Sequence, residues 1–170
     1  MNIHNLRLSI IFWLVGIGII FHFRIGFSPA WYFYATAAVL LLTHFLFANV
    51  WAAFSRLRKG ELPEAEVMLN KIRKPEWLAK SPRAYYHFSK GMIELQKKET
   101  DPAESHLLRA LQLGLRTPND NAMAALNLSH IYLTKDKKSE ARAMLQKARS
   151  FAPDDLMVKD YLQKTERALQ

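Results

Sequence analysis

Between Arg24 and Arg56 the chain has no formally charged side chain. The heart of that stretch, residues 30–54, reads AWYFYATAAVLLLTHFLFANVWAAF. At about 1.5 Å per helical residue it outreaches the roughly 30 Å hydrocarbon core of a bilayer. Buried helices of water-borne domains are seldom apolar for so long. Trp31, Tyr32 and Tyr34 open the run and Trp51 stands near its end, the placement of aromatic side chains at two headgroup levels. A membrane-crossing helix over about 31–54 is expected.

A second apolar run precedes it. Residues 8–23, LSIIFWLVGIGIIFHF, lie between Arg7 and Arg24 with only Ser9 and His22 polar. At roughly 24 Å this helix is a little short, and Arg7 and Arg24 can snorkel to close the gap. A cleaved signal peptide is the competing reading, but no convincing small-x-small cleavage site follows the apolar run, and a simple secretory signal does not explain the second long apolar run. The stretch from Arg24 to Pro29 contains Gly26 and leaves room only for a tight turn, so residues 1–54 are expected to form an antiparallel transmembrane hairpin. Gly16 and Gly18 allow close helix approach within the hairpin or toward a partner. His22 and His44 fall at different levels of such a hairpin, which argues against a paired relay or metal site. Arg56, Arg58 and Lys59 outnumber the single Arg24 of the turn. The positive-inside rule then puts both termini and the remaining chain on the cytoplasmic side, with a bacterial cytoplasmic membrane the expected host.

Beyond residue 55 the composition changes. Of 24 Lys and Arg only Arg7 and Arg24 come earlier, while all 15 Asp and Glu lie at or after Glu61. The later part is therefore basic by about seven charges, which favours an acidic partner or an anionic lipid surface. No single basic stripe points to nucleic acid. Cysteine is absent, which excludes disulfides, thiolate chemistry and Cys-based zinc sites.

The same part repeats itself. In residues 125–153, Leu128, Ser129 and Tyr132 are followed by Ala141, Leu145, Ala148 and Pro153. Upstream, Tyr85, Phe88, Ser89 and Met92 precede Ala103, Leu107 and Ala110. A third copy lies at Ala53, Gly60, Ala65, Leu69 and Ile72, with Pro63 opening its second helix. Ala65, Ala103 and Ala141 are evenly spaced by 38, as are Leu69, Leu107 and Leu145. This pattern resembles the tetratricopeptide repeat, in which small residues mark where two helices touch and large ones fill the seam. The resemblance covers residues 46–153 and implies an all-α solenoid of three helical hairpins. The first helix of the solenoid would be continuous with the second span. The turn near KKETDPAE reads about two residues longer than the family pattern, with Asp101 as N-cap and Pro102 at the first helical position. In the first copy Asn49 and Arg56 stand where the family has large apolar residues. Residues 154–170 are expected to form a capping helix, with Leu156, Val158, Tyr161, Leu162 and Leu169 turned toward the last repeat.

No catalytic constellation is visible. His87, His106 and His130 lie on different expected helices without a ligand-pair motif, and there is no phosphate loop or GxSxG. No enzyme activity, cofactor, metal or small-molecule substrate is expected. In the family, function lies in a groove lined by the first helix of each repeat. Carried over, the groove positions are Arg83, Tyr86, Lys90 and Ile93, then Met123, Leu126, His130 and Leu133. The set by which some members clamp a C-terminal carboxylate is not recognisable here. The resemblance thus implies a non-catalytic, membrane-anchored adaptor that binds a protein partner through this groove. The alternative is an accessory subunit of a larger membrane complex, held through the hairpin at Gly16 and Gly18.

Overall fold

A computed structural model describes the backbone of residues 3–169 and the side chains of residues 9–41 and 48–169. Among these residues the chain is all-α, with helices in antiparallel pairs. It divides into two compact units, Met1–Ala48 and Asn49–Gln170.

The first unit contains α1 (Ile3–Ile25) and the greater part of α2 (Phe27–Arg58). Gly26 alone separates them, and its N–H donates to the carbonyls of Phe21 and His22 at 3.2 and 3.1 Å. The turn is shorter than the sequence suggested because α2 begins before Pro29. That proline sits in the first helical turn, where its missing N–H costs no hydrogen bond. The Phe21 and Phe33 rings meet at 5.2 Å. Phe12, Trp13, Ile20 and Phe23 are exposed by 61% or more. Among the described residues no helix is long and apolar enough to cross a membrane. His22 is exposed, its ring edge-on to Phe27, and the side chain of His44 lies outside the described residues.

The second unit begins with residues 49–58 of α2 and continues through α3 (Leu62–Asn70), α4 (Lys80–Gln96), α5 (Thr100–Leu113), α6 (Pro118–Thr134), α7 (Lys138–Ser150) and α8 (Leu156–Ala168). Three turns link the first three pairs and share one geometry. Gly60, Lys98 and Asp136 have φ of +79, +64 and +55°. Their N–H groups donate to Leu57, Leu95 and Leu133. The following N–H groups of Glu61, Glu99 and Lys137 reach back to Arg56, Glu94 and Tyr132. This is a left-handed C-cap that satisfies the last carbonyls of the leading helix. The copies therefore align at a spacing of 38 throughout, turns included. The middle turn is not two residues longer. α5 starts at Thr100, so Asp101 and Pro102 lie within its first turn and Asp101 is not the N-cap.

Alignment at 38 pairs Ala53, Gly91 and Ser129 on the leading helices with Ala65, Ala103 and Ala141 on the following ones. All three alanines are fully buried. Gly91 has no room for a methyl group: a Cβ there would lie 2.8 Å from Leu107 Cγ and 3.1 Å from the Ala103 carbonyl oxygen. In the third copy Ser129 Oγ instead donates to the Ala141 carbonyl at 2.8 Å. Leu69, Leu107 and Leu145 fill the seam beside these contacts. A leucine so buried contributes about 1.5–3 kcal/mol.

Ionic contacts between copies recur in the same register. Lys97 Nζ pairs with Glu66 and Lys135 Nζ with Glu104, each at 2.6 Å. In the third copy that glutamate position is Arg142, which donates to the Leu169 carbonyl at 3.0 Å. The array thus ends on α8. Asp155 caps α8 by accepting from Met157 and Val158. Val158, Thr165 and Leu169 are buried, but Leu156 is 82% exposed, contrary to expectation. It shares the first turn of α8 with Val158 but lies about 200° around the helix from it.

The first copy departs from the others in one element. α3 stops at Asn70, whereas α5 and α7 run several residues further. Pro75 removes an N–H and disfavours helix at Lys74, which is non-helical with φ −132° and ψ 81°. Ile72 therefore lies outside the helix that was to contain it. Residues 71–79 form a loop with one 3-10 turn, Pro75–Trp77. Arg56, which aligns with Glu94 and Tyr132 of the later copies, turns to Glu61 of the first turn at 2.7 Å.

Candidate functional site

Equal turns change which residues correspond on the leading helices. Met123, Leu126, His130 and Leu133 of α6 align with Tyr85, Phe88, Met92 and Leu95 of α4. They do not align with Arg83, Tyr86, Lys90 and Ile93, because the supposed two-residue insertion is not there. Tyr85 and Phe88 are buried beneath α2: Tyr85 meets Trp51 at 4.8 Å and Phe54 at 4.7 Å, and Phe88 meets Phe54 at 6.1 Å. Leu126 is fully buried as well. What this face leaves accessible is Met92, Leu95, Met123 and Leu133, half-buried, with His130 exposed.

The expected second-copy residues have other roles. Ile93 is 2% exposed and belongs to the core. Tyr86 is buried with its ring edge against His87 at 5.4 Å, and burial pushes its hydroxyl above the usual tyrosine range. Arg83 is half-buried; its guanidinium donates to the Glu76 carbonyl at 3.4 Å while Nε has no partner. Lys90 is half-buried on the same helix.

The α4–α5 seam holds a cluster that the sequence did not announce. His87 Nδ1 and His106 Nδ1 lie 2.8 Å apart, so one imidazole donates and the other accepts. On the far side of His106, Nε2 stands 3.6 Å from Glu94 Oε1, within ion-pair range but too long for a hydrogen bond. Burial, then the neighbouring His106, Arg109 and Arg83, pushes His87 down to about 4. Burial and Lys90 lower His106. Burial raises Glu94, whose Oε2 has no partner. At neutral pH the pair is an uncharged hydrogen-bonded unit. A cavity of about 320 Å³ opens beside it, lined by His87, Ser105, His106, Leu108, Arg109 and Gln112. Aligned positions in the third copy are Ala125, Tyr132 and Met144, so no other copy needs these groups for packing. The histidines are 19 residues apart on two helices, a spacing without a motif. Among the described residues no group of three or more His, Asp or Glu side chains is placed to hold a metal ion.

Beside α4, Tyr85 donates to Asp120 Oδ2 at 2.5 Å and accepts from the Arg116 N–H at 3.2 Å. Arg116 also covers the Trp51 ring at 4.8 Å and donates to Ser81 at 3.0 Å. Trp51, Ser81, Tyr85 and Arg116 thus tie together one end of the second unit.

In the first unit the two glycines differ. A Cβ at Gly18 would lie 2.9 Å from Tyr34 Cε1 and 3.1 Å from Phe33 Cβ, so α1 and α2 approach closely there. At Gly16 a Cβ would meet no described atom within 4 Å. Gly18 is spent inside the hairpin, and Gly16 is open.

Comparison of the chain with known protein families, with curated proteins and with solved structures finds no match.

Proposed function

We propose that this chain is a membrane-anchored, tetratricopeptide-like scaffold without catalytic activity, which binds a protein partner through the leading-helix face of its second unit. One observation carries the reading: three helix pairs at a constant spacing of 38, with the same left-handed turn at Gly60, Lys98 and Asp136. Stacked pairs of this kind bury a continuous core between neighbours and leave one face for a ligand. That face offers Met92, Leu95, Met123, His130 and Leu133, a mostly apolar strip suited to an amphipathic helix. The anchor reading rests on the uncharged stretch between Arg24 and Arg56 and on Phe12, Trp13, Ile20 and Phe23, large apolar side chains held outward. On this reading the second unit lies on the cytoplasmic side.

The anchor is tested by alkaline carbonate extraction of membranes from cells making the full chain. The chain is expected to stay in the pellet; quantitative release sinks the anchor. The binding face is tested by a photoreactive amino acid at Met92 or at His130. Both are expected to give the same crosslinked partner, and a Met92→Glu, Leu133→Glu variant is expected to abolish it.

A second reading, an accessory subunit held through its hairpin, draws on Gly16. That glycine is open on α1 and free for a helix from another chain. Exchanging residues 1–48 for an unrelated hairpin separates the two. Partner retention supports the scaffold, and its loss supports the subunit.

A further inference from the structure

The loop that Pro75 creates in the first copy has no counterpart in the other two. Where α5 and α7 continue as helix, residues 71–80 read KIRKPEWLAK. Lys71, Arg73, Lys74 and Lys80 are exposed, and none is ion-paired to a described residue. Between Glu66 and Glu94 the one acidic side chain is Glu76. Trp77 is 68% exposed, and Lys74 Nζ lies over its ring at 4.2 Å. The next residue, Leu78, is 5% exposed. Leu78 therefore fastens the loop to the core while the 3-10 turn holds Trp77 outward. Arg83 donates to the Glu76 carbonyl, and Arg116 joins Ser81 to Trp51. The loop accordingly sits at the end of the second unit where its first residue, Asn49, enters.

We propose that residues 71–80 are an interfacial anchor for anionic lipid headgroups, with Trp77 seated among the headgroups and Lys71, Arg73, Lys74 and Lys80 facing their phosphates. This rests on the membrane reading above and assigns a second, separable contact to it. The chemistry is specific in two respects. An indole has an apolar body and one N–H donor, which suits the headgroup level and not bulk water. Four unpaired cations beside it gain about one favourable contact each with a negatively charged leaflet, and that gain decays within a Debye length of roughly 10 Å at 0.1 M salt. An exposed tryptophan on an acidic surface, or lysines already paired, would not make this site.

Because the chain has no cysteine, one label reports on the loop. In the full chain, Ala79→Cys carries an environment-sensitive fluorophore, and vesicles contain a headgroup-level nitroxide lipid. They are either purely zwitterionic or about one-third anionic. Co-flotation with zwitterionic vesicles reads hairpin insertion; quenching of the label reads the loop. Quenching is expected with anionic vesicles and is expected to fall ~5-fold or more in Lys71→Gln, Arg73→Gln, Lys74→Gln, and also in Trp77→Ser. High salt should weaken it, and a label at Ser139→Cys should remain unquenched. A chain that floats but whose Ala79 label is equally quenched in both vesicle types, or in neither, overturns the loop proposal and leaves the anchor intact. Binding of the loop to an acidic protein with no anionic-vesicle quenching overturns it too. A chain that fails to float with zwitterionic vesicles sinks the hairpin anchor, while label quenching by anionic ones would still uphold the loop.

Discussion

A methyl group at Gly91 would stand 2.8 Å from Leu107 Cγ with the Ala103 carbonyl oxygen behind it. The leucine can shift but the backbone oxygen cannot, so Gly91→Ala should destabilise the second unit by about 1–3 kcal/mol despite alanine's better helix propensity. Urea unfolding reads this directly, and a variant as stable as the parent would show that the helices separate freely. The opposite sign is expected at Lys98. Its φ of +64° strains any side chain, and its partner in the first copy is Gly60. Lys98→Gly should therefore stabilise by up to about 1 kcal/mol. The histidine pair gives a pH signature. Unfolded histidine takes up its proton near 6.5, whereas His87 in the folded chain resists until about 4. Between those values the unfolded chain binds more protons, so stability declines as pH falls from about 6.5. Glu66, Asp101 and Glu104 are lowered by their lysine partners and lose their contribution only below the ordinary carboxylate range. Glu94, raised by burial, protonates above the ordinary carboxylate range and opposes part of this loss, so the slope from pH 5 to 6.5 reports the imidazoles together with Glu94. His87→Ala, His106→Met, which installs the third copy's residues, should flatten the slope of urea midpoint against pH there.

Among the elements, the turns that repeat also carry the ties between copies. Lys135 reaches both Asp101 at 2.5 Å and Glu104 at 2.6 Å, and is less exposed than Lys97, which has Glu66 alone. Removing Lys135 leaves a half-buried carboxylate, Glu104, without its cation. Lys135→Gln should therefore lower the melting temperature more than Lys97→Gln, and the gap should shrink in 1 M salt as screening increases. Equal effects would show both bridges to be surface ornaments. The helical pairs were legible in the chain because small and large residues recur at 38. The alignment within the middle copy was not. Ser89 and Gly91 are both small and two apart, and only the turn geometry decides that Gly91 faces Ala103. That error moved the whole second-copy groove set by two residues and put Ile93, a core side chain, on its surface. Leu156 misled for a different reason. Leu156 and Val158 lie about 200° apart around a helix, so once Val158 is buried Leu156 must point away from the array. The His87–His106 contact was beyond reach, since it depends on the rotation of α5 against α4.

For the whole molecule, division into two units has a thermodynamic consequence. The first draws its apolar side chains outward, with Phe12, Trp13 and Phe23 more than two-thirds exposed or nearly so. The second hides its apolar side chains in a repeated core. Urea acts on surface newly exposed to water, and a helix pair solvated by detergent or lipid exposes little on unfolding. The full chain in detergent micelles should therefore not unfold in one step. The second unit should lose its helix signal in a single cooperative transition, because neighbour contacts from the first pair to α8 couple its copies. A helical remainder, from α1 and the adjoining part of α2, should persist at high urea. Gly91→Ala should move the midpoint of the transition and leave the remainder unchanged, whereas Gly18→Ala, which crowds Tyr34 and Phe33, should leave the midpoint in place. Complete loss of helix in one transition shared by both variants would mean that both units owe their stability to water. The hairpin would then have no claim to a bilayer.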